Sequence, residues 1–165
     1  PFSTGFLYVR RELAGELMPP FVGADSVKGD VDALDYALEL KDGAARFEGG
    51  LPNAPGIAGL NASLALMEET GLDQIHREAW RVSGLWIDAL RELGAELAPC
   101  ALSDRTRSTI VSFKTPDVPA AYQALREGGV ACSVRGGYVR TGIHAFNTDQ
   151  EVERAAEVLR RHLRG

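Results

Sequence analysis

The sequence VACSVRGGYVRTGI, residues 130–143, predicts a β-hairpin. Its two halves are rich in β-branched residues, and the adjacent glycines Gly136 and Gly137 are typical of a two-residue turn between antiparallel strands. Such a turn sets the register, because each residue before it lies opposite one residue after it. The expected pairs are Arg135 with Tyr138, Val134 with Val139, Ser133 with Arg140 and Cys132 with Thr141.

This register assigns every residue of the hairpin to one face of a sheet, since side chains alternate between the two faces. The face expected to lie on the core carries Val130, Cys132, Val134, Val139, Thr141 and Ile143. The opposite face carries Ala131, Ser133, Arg135, Tyr138, Arg140 and Gly142.

Arg140 is the candidate binding residue of that second face. Its neighbours Ser133 and Gly142 are small and leave room above the strand. A planar guanidinium can bind a carboxylate through two parallel hydrogen bonds, which favours an anionic ligand. The alternative is an ordinary solvated arginine, and the hairpin pattern alone favours neither interpretation.

The two cysteines are not predicted to carry chemistry. Cys132 falls on the expected core face, where apolar surroundings disfavour the thiolate, so we interpret it as a core residue. Cys100 follows Pro99 in a loop with no activating group nearby in sequence. Cysteines this far apart, with no CxxC pair, predict neither a disulfide framework nor a metal site.

The sequence around the hairpin predicts a small sheet covered by helices. From Gly94 onwards the pattern is β-β-α-β-β-α, over residues 94–165. Before it, a continuous apolar stripe predicts a long helix from about residue 73 to residue 93, and Gly71 is placed to end the preceding helix in a left-handed conformation.

The first seventy residues have a weaker pattern. Residues 5–10 are typical of a short buried strand, and residues 11–50 are expected to be mostly irregular after one helical turn. A helix follows Pro55. Its expected buried face consists of Ile57, Leu60, Leu64 and Met67.

Length and composition exclude several classes of protein. The chain has 165 residues, 45% of them hydrophobic, and a formal net charge of −5. This acidic balance disfavours a nucleic-acid partner, which usually calls for a basic surface. The sequence contains no apolar run near the length of a membrane-spanning helix and no signal-peptide pattern. We therefore expect a cytoplasmic protein without a membrane or nucleic-acid partner.

Three segments carry a family resemblance: PFSTGFLYVR at residues 1–10, RFEGGLPNAPGIAGL at 46–60 and YVRTGIHAFNTDQEV at 138–152. In this order and spacing they resemble the C-terminal part of the class V aminotransferases, which are fold-type I enzymes dependent on pyridoxal phosphate. That family includes cysteine desulfurases, selenocysteine lyases, kynureninase and isopenicillin N epimerase-like proteins.

The resemblance implies an α/β chain that forms the C-terminal fragment of this transferase fold. Residues 1–70 would be the end of the large cofactor-binding domain, 71–93 a connecting helix and 94–165 the small C-terminal domain. The lysine that binds the cofactor as a Schiff base would lie before Pro1, outside this chain. An isolated chain without that lysine is expected to be inactive, with no catalytic residue of its own.

The resemblance also assigns three site residues. Arg140 matches the arginine that commonly binds the substrate α-carboxylate in the family. Gly50 and Leu51 match a Gly-Thr pair that contacts the cofactor phosphate of the partner subunit in a homodimer. Leu51 has no hydroxyl, so only its backbone N–H could contribute.

Two functions follow as hypotheses. The first is a pyridoxal-phosphate enzyme acting on an amino acid by transamination, racemisation or elimination. Desulfurases of the family carry a cysteine on a loop just before the arginine, and here only Gly-Gly-Tyr-Val separates Arg135 from Arg140, which disfavours a desulfurase or selenocysteine lyase. The alternative is a regulatory α/β module that binds a small molecule without chemistry.

Overall fold

The computed structural model describes residues 4–29, 38–103 and 105–164. The chain divides into two compact units, residues 1–66 and residues 67–165. Residues 1–3 of the first resemblance segment, residues 30–37 of the stretch expected to be irregular, and Asp104 lie outside the described residues.

The second unit is built on a four-stranded antiparallel sheet. Its elements are α3 (Leu72–Glu92), β1 (Glu96–Leu97), β2 (Ile110–Lys114), α4 (Val118–Glu127), β3 (Ser133–Arg135), β4 (Tyr138–Gly142) and α5 (Asp149–Arg164). The strands lie in the order β1-β2-β4-β3. The predicted α/β architecture with its β-β-α-β-β-α segment is therefore confirmed.

The core of this unit lies between one face of the sheet and the helices. The strands contribute Val111, Phe113 and Val139, each with no exposed surface. From the helices, the buried side chains include Val82, Trp86, Ile87, Leu90, Leu125 and Leu159. Because residues in strands alternate, the opposite face of the same strands, which we call the open face, carries Glu96, Ile110, Ser112, Lys114, Ser133, Arg135, Tyr138, Arg140 and Gly142.

The hairpin has the predicted turn and register. Gly136 and Gly137 adopt φ of 56° and 77°, the left-handed conformation that a type I′ turn requires of both residues. The pairs Ser133–Arg140, Val134–Val139 and Arg135–Tyr138 are all observed. Strand β3 begins only at Ser133, so Cys132 precedes the strand. Val134 is 42% exposed despite its predicted core position, because β3 is the edge strand.

Helix α3 also agrees with the sequence pattern. It begins one residue earlier than expected, after Gly71, whose φ of 88° confirms the predicted left-handed position. Its buried stripe is Ala79, Val82, Ser83, Trp86, Ile87 and Leu90. These residues form one face of the helix, because α3 packs against both the sheet and α5.

The first unit differs from the prediction in two places. It contains α1 (Arg11–Ala14), two short 3-10 turns and the start of α2 (Ala54–Thr70). The predicted buried strand at residues 5–10 is wrong, since Phe6 and Tyr8 are 81% and 80% exposed and no strand among the described residues pairs with this segment. A strand needs a neighbour to satisfy its backbone, and the described part of the unit offers none.

The second correction concerns α2. The helix exists as predicted, but its apolar face is not buried: Ile57, Leu64 and Met67 are 42%, 44% and 37% exposed. Periodicity reports which side of a helix is apolar, and burial also needs a packing partner. Among the described residues of α2, Gly56 is the one that is buried.

Candidate functional site

Arg140 lies in the middle of β4, with a strand on each side. Its neighbours across the sheet are Ser112 of β2 and Ser133 of β3, two small polar residues. The Arg140 side chain is half-buried, and its guanidinium has no hydrogen-bond or ion-pair partner within the part of the chain that the structure describes. Such a guanidinium keeps all five donors available for a ligand.

The face of β4 opposite to Arg140 packs on the core. The residues on either side of it, Val139 and Thr141, point to the core and are 0% and 6% exposed. Their burial fixes the direction of the Arg140 side chain, because consecutive residues of a strand point to opposite faces. The structure thus places Arg140 on the open face, as the register predicted.

Two further features of the open face were not predicted from the sequence. The Nζ atom of Lys114 lies 4.2 Å from the centroid of the Tyr138 ring, a cation–π contact between β2 and β4. Arg135 is paired with Tyr138 on the other side, in β3. Only the pairing of β2 with β4 brings Lys114 to this position, and that long-range pairing has no local sequence signal.

Cys132 lies on the other side of the sheet and belongs to the core. It is half-buried and packs against the apolar cluster of the second unit. Burial raises the pKa of its thiol, and the positive charge of Arg126 opposes this only in part. A raised pKa is the opposite of what a nucleophilic cysteine needs, which supports the core interpretation.

Gly50 and Leu51 lie in the first unit, on a loop that projects into solvent. Leu51 is 98% exposed, and the backbone N–H groups of both residues find no acceptor among the described residues. A β-carbon added to Gly50 would meet no atom within 4 Å. The loop therefore offers two free backbone donors with open access.

Buried contacts hold the base of this loop. The Ser26 hydroxyl, which is fully buried, donates to the Glu48 carbonyl at 2.6 Å and accepts from the Gly23 N–H at 3.0 Å. Gly23 itself packs so closely that a β-carbon there would lie 1.6 Å from the Gly49 oxygen. Beyond the loop, the Asn53 side chain accepts from the Gly56 N–H at 3.1 Å and starts α2.

Two negative findings apply to the described residues. They contain no group of three or more His, Cys, Asp or Glu side chains that could hold a metal ion. They also contain no helix that is both long enough and apolar enough to cross a membrane.

Comparison with known proteins finds relatives that carry the name cysteine desulfurase. A probable cysteine desulfurase of Pyrococcus abyssi is 28% identical over 96% of this chain and 42% of its own length. The apo structure of a cysteine desulfurase from Thermococcus onnurineus has a TM-score of 0.80 and 24% identity, over 96% of this chain and 42% of that one. The chain therefore spans about two fifths of the length of these proteins.

A third similar structure belongs to C-DES, which is described as a cystine C-S lyase. A variant of it, with glycine covalently linked to its PLP cofactor, has a TM-score of 0.73 and 23% identity over 94% of this chain and 40% of that one. The sequence model of the class-V aminotransferases matches residues 1–155. With nearly its whole length matched, the chain belongs to the aminotransferase class-V family.

Proposed function

We propose that this chain is part of a pyridoxal-phosphate-dependent enzyme that acts on an amino acid, and that Arg140 binds the substrate α-carboxylate. The observation that carries the proposal is the half-buried, unpaired guanidinium at the centre of an otherwise well-packed sheet. Family membership supports the reaction class, and the side-chain geometry supports Arg140 as the binding residue.

The surroundings of Arg140 suit a carboxylate. Ser112 and Ser133 flank it without blocking access, and they add hydroxyl donors on the same face. A guanidinium–carboxylate pair with two parallel hydrogen bonds is among the stronger polar contacts in proteins, and it fixes orientation as well as charge. In this role Arg140 binds and orients the amino acid through its guanidinium donors.

The residues present are compatible with the cofactor. Bound pyridoxal phosphate would act as an electron sink for bond cleavage at the substrate Cα. Gly50 and Leu51 would donate their free backbone N–H groups to the phosphate, a kind of contact that anions commonly make with loops. The Leu51 side chain cannot add a hydrogen bond, so this contact is weaker by one donor than with threonine.

The rest of the enzyme comes from outside these 165 residues. In the proposal the cofactor-binding lysine precedes Pro1, and Gly50 and Leu51 serve the partner subunit of a homodimer. The first unit supports this proposal, because it exposes large apolar side chains that folded proteins normally cover. These include Phe6, Tyr8, Phe21 and Leu51.

The hairpin argues against a cysteine-based persulfide mechanism even though relatives carry the name cysteine desulfurase. The β3–β4 connection consists of Gly136 and Gly137 alone, which leaves no loop for a reactive cysteine. Cys132 precedes β3 and has a raised thiol pKa. We thus propose an amino-acid substrate without naming which one. The choice between transamination, racemisation and elimination depends on residues elsewhere in the enzyme.

The proposal is tested with Arg140→Ala and Arg140→Lys in the full-length enzyme. We expect the alanine variant to lose about 2–4 kcal/mol of substrate binding, or roughly 30- to 1000-fold in kcat/KM. Arg140→Lys keeps the charge but loses the planar guanidinium and its two parallel hydrogen bonds, so this variant should also be impaired. Cofactor loading, read from the visible absorbance, should not change.

Arg126→Ala is the matched control, because Arg126 is exposed on α4, on the helical side of the sheet. It should leave kcat/KM unchanged. Unchanged kcat/KM in Arg140→Ala would remove Arg140 from the site, and lost cofactor absorbance would assign it a structural role. A full-length protein without any visible cofactor band would favour the non-catalytic module instead.

A further inference from the structure

We infer that Lys114 and Arg135, which flank Tyr138, form a second anion-binding position beside Arg140, and that the substrate is an amino acid carrying a second carboxylate. This inference rests on the proposed function of Arg140 and specifies the substrate class. It arises from the charges on the open face of the sheet.

Strand pairing places the three cations in one cluster. Ser112 is opposite Arg140, so Lys114 lies at the level of Tyr138, two residues along the strand. Arg135 is opposite Tyr138 on the other side. With about 5 Å between strands and 7 Å between alternate residues, Lys114 and Arg135 each lie about 8 Å from Arg140, measured between Cα atoms.

None of these cations is neutralised by the described part of the chain. Elsewhere Arg81, Arg91, Arg160 and Arg161 each pair with a carboxylate within 3.0 Å. Glu96 lies opposite Lys114 in β1, yet the Lys114 ammonium lies on the Tyr138 ring and makes no ion pair with it. The open face thus carries three cations without an ion-pair partner among the described residues and one carboxylate, Glu96, which leaves it a formal charge of +2 in a chain of net charge −5.

The position of the Lys114 ammonium decides what the cluster can bind. Its contact with Tyr138 places it toward β4, the strand that carries Arg140, and away from the outer strand that carries Glu96. With Glu96 on the same face, a ligand with one negative charge leaves one positive charge unbalanced, whereas a ligand with two carboxylates balances the face. A dicarboxylic amino acid places its α-carboxylate on Arg140 and its side-chain carboxylate between Lys114 and Arg135.

The test is binding of L-glutamate and L-aspartate to the full-length protein, each compared with its amide, L-glutamine or L-asparagine. Acid and amide have the same size, so the comparison isolates the second charge. Amide shifts in nuclear magnetic resonance spectra give both the dissociation constant and the location. We expect at least one acid to bind about fivefold more tightly than its amide, with shifts at Lys114, Arg135 and Arg140.

The double variant Lys114→Gln/Arg135→Gln should remove this preference, and Arg126→Gln, on the helical side, should retain it. A preference below threefold for both acids, no measurable shift with either, or a preference that survives the double variant would overturn the inference. The experiment requires no cofactor. A failure of the proposed enzyme function would instead be seen in the cofactor absorbance and in the turnover of Arg140 variants.

Discussion

The indole Nε1 of Trp86 donates a hydrogen bond of 2.9 Å to the hydroxyl of Thr141, the residue next to Arg140. The same hydroxyl donates to the Val111 carbonyl at 3.1 Å. Trp86 belongs to α3 and is 3% exposed, so this buried chain of two bonds joins α3 to β4 and β2. It satisfies polar groups that would otherwise lie unpaired in the core, directly beneath the candidate site.

Thr141→Val should destabilise the chain by about 1–3 kcal/mol, because it keeps the shape and leaves the Trp86 N–H buried without an acceptor. Thr141→Ser keeps the hydroxyl and should cost less. The free energy of unfolding in urea measures both effects. A valine variant as stable as the unaltered chain would show that this bond contributes nothing.

Cys132 should react with a thiol reagent much more slowly than the exposed Cys100 in the folded chain. Burial raises the pKa of the Cys132 thiol, so its labelling should accelerate only at more alkaline pH. Mass spectrometry of the alkylated chain separates the two sites. Cys132→Ala should leave turnover of the full-length enzyme intact, and loss of activity in a folded Cys132→Ala variant would restore a desulfurase-like mechanism.

Ser26→Ala should destabilise the first unit by about 1–3 kcal/mol, since it leaves the Glu48 carbonyl and the Gly23 N–H without their buried partner. Ser63→Ala is the control, because Ser63 is exposed on α2 and its hydroxyl bonds only to its own helix. Hydrogen exchange of the Glu48 amide, which donates to the Ala45 carbonyl, should accelerate in the first variant alone. Equal exchange in both would refute the role of Ser26 in holding this loop.

The ion pair between Arg81 of α3 and Asp149 of α5, 2.6 Å long, should make stability fall in acid. Hydrogen bonding to Arg81 lowers the pKa of Asp149 below its ordinary 3.8. A carboxyl with a lower pKa in the folded state stabilises it above its unfolded pKa, and this contribution is lost as pH falls through the folded pKa.

Asp149→Asn should therefore flatten the loss of stability between about pH 5 and pH 3. Asp73→Asn, which removes an exposed carboxylate with no ion-pair partner in the described chain, is the control. Unfolding followed by circular dichroism across this range provides the slopes. Identical slopes in the unaltered chain and in Asp149→Asn would contradict the prediction.

Local features of the sequence were enough to predict the elements around the site. The Gly136-Gly137 turn determined the hairpin register and therefore the face of Arg140, because a two-residue turn leaves one pairing. The sequence Thr148-x-x-Glu151 is a capping box, and its reciprocal bonds of 2.9 and 3.3 Å start α5. In both cases the interacting groups lie within a few residues of each other.

Tertiary structure decided burial and the partners of side chains. The apolar residues at 5–10 and on α2 have the pattern of buried elements, yet they are exposed because no described segment covers them. Lys114 meets Tyr138, and Trp86 meets Thr141, only through pairing of segments far apart in the chain. Periodicity encodes which face is apolar, whereas the contacts of that face depend on segments whose distance in sequence carries no local signal.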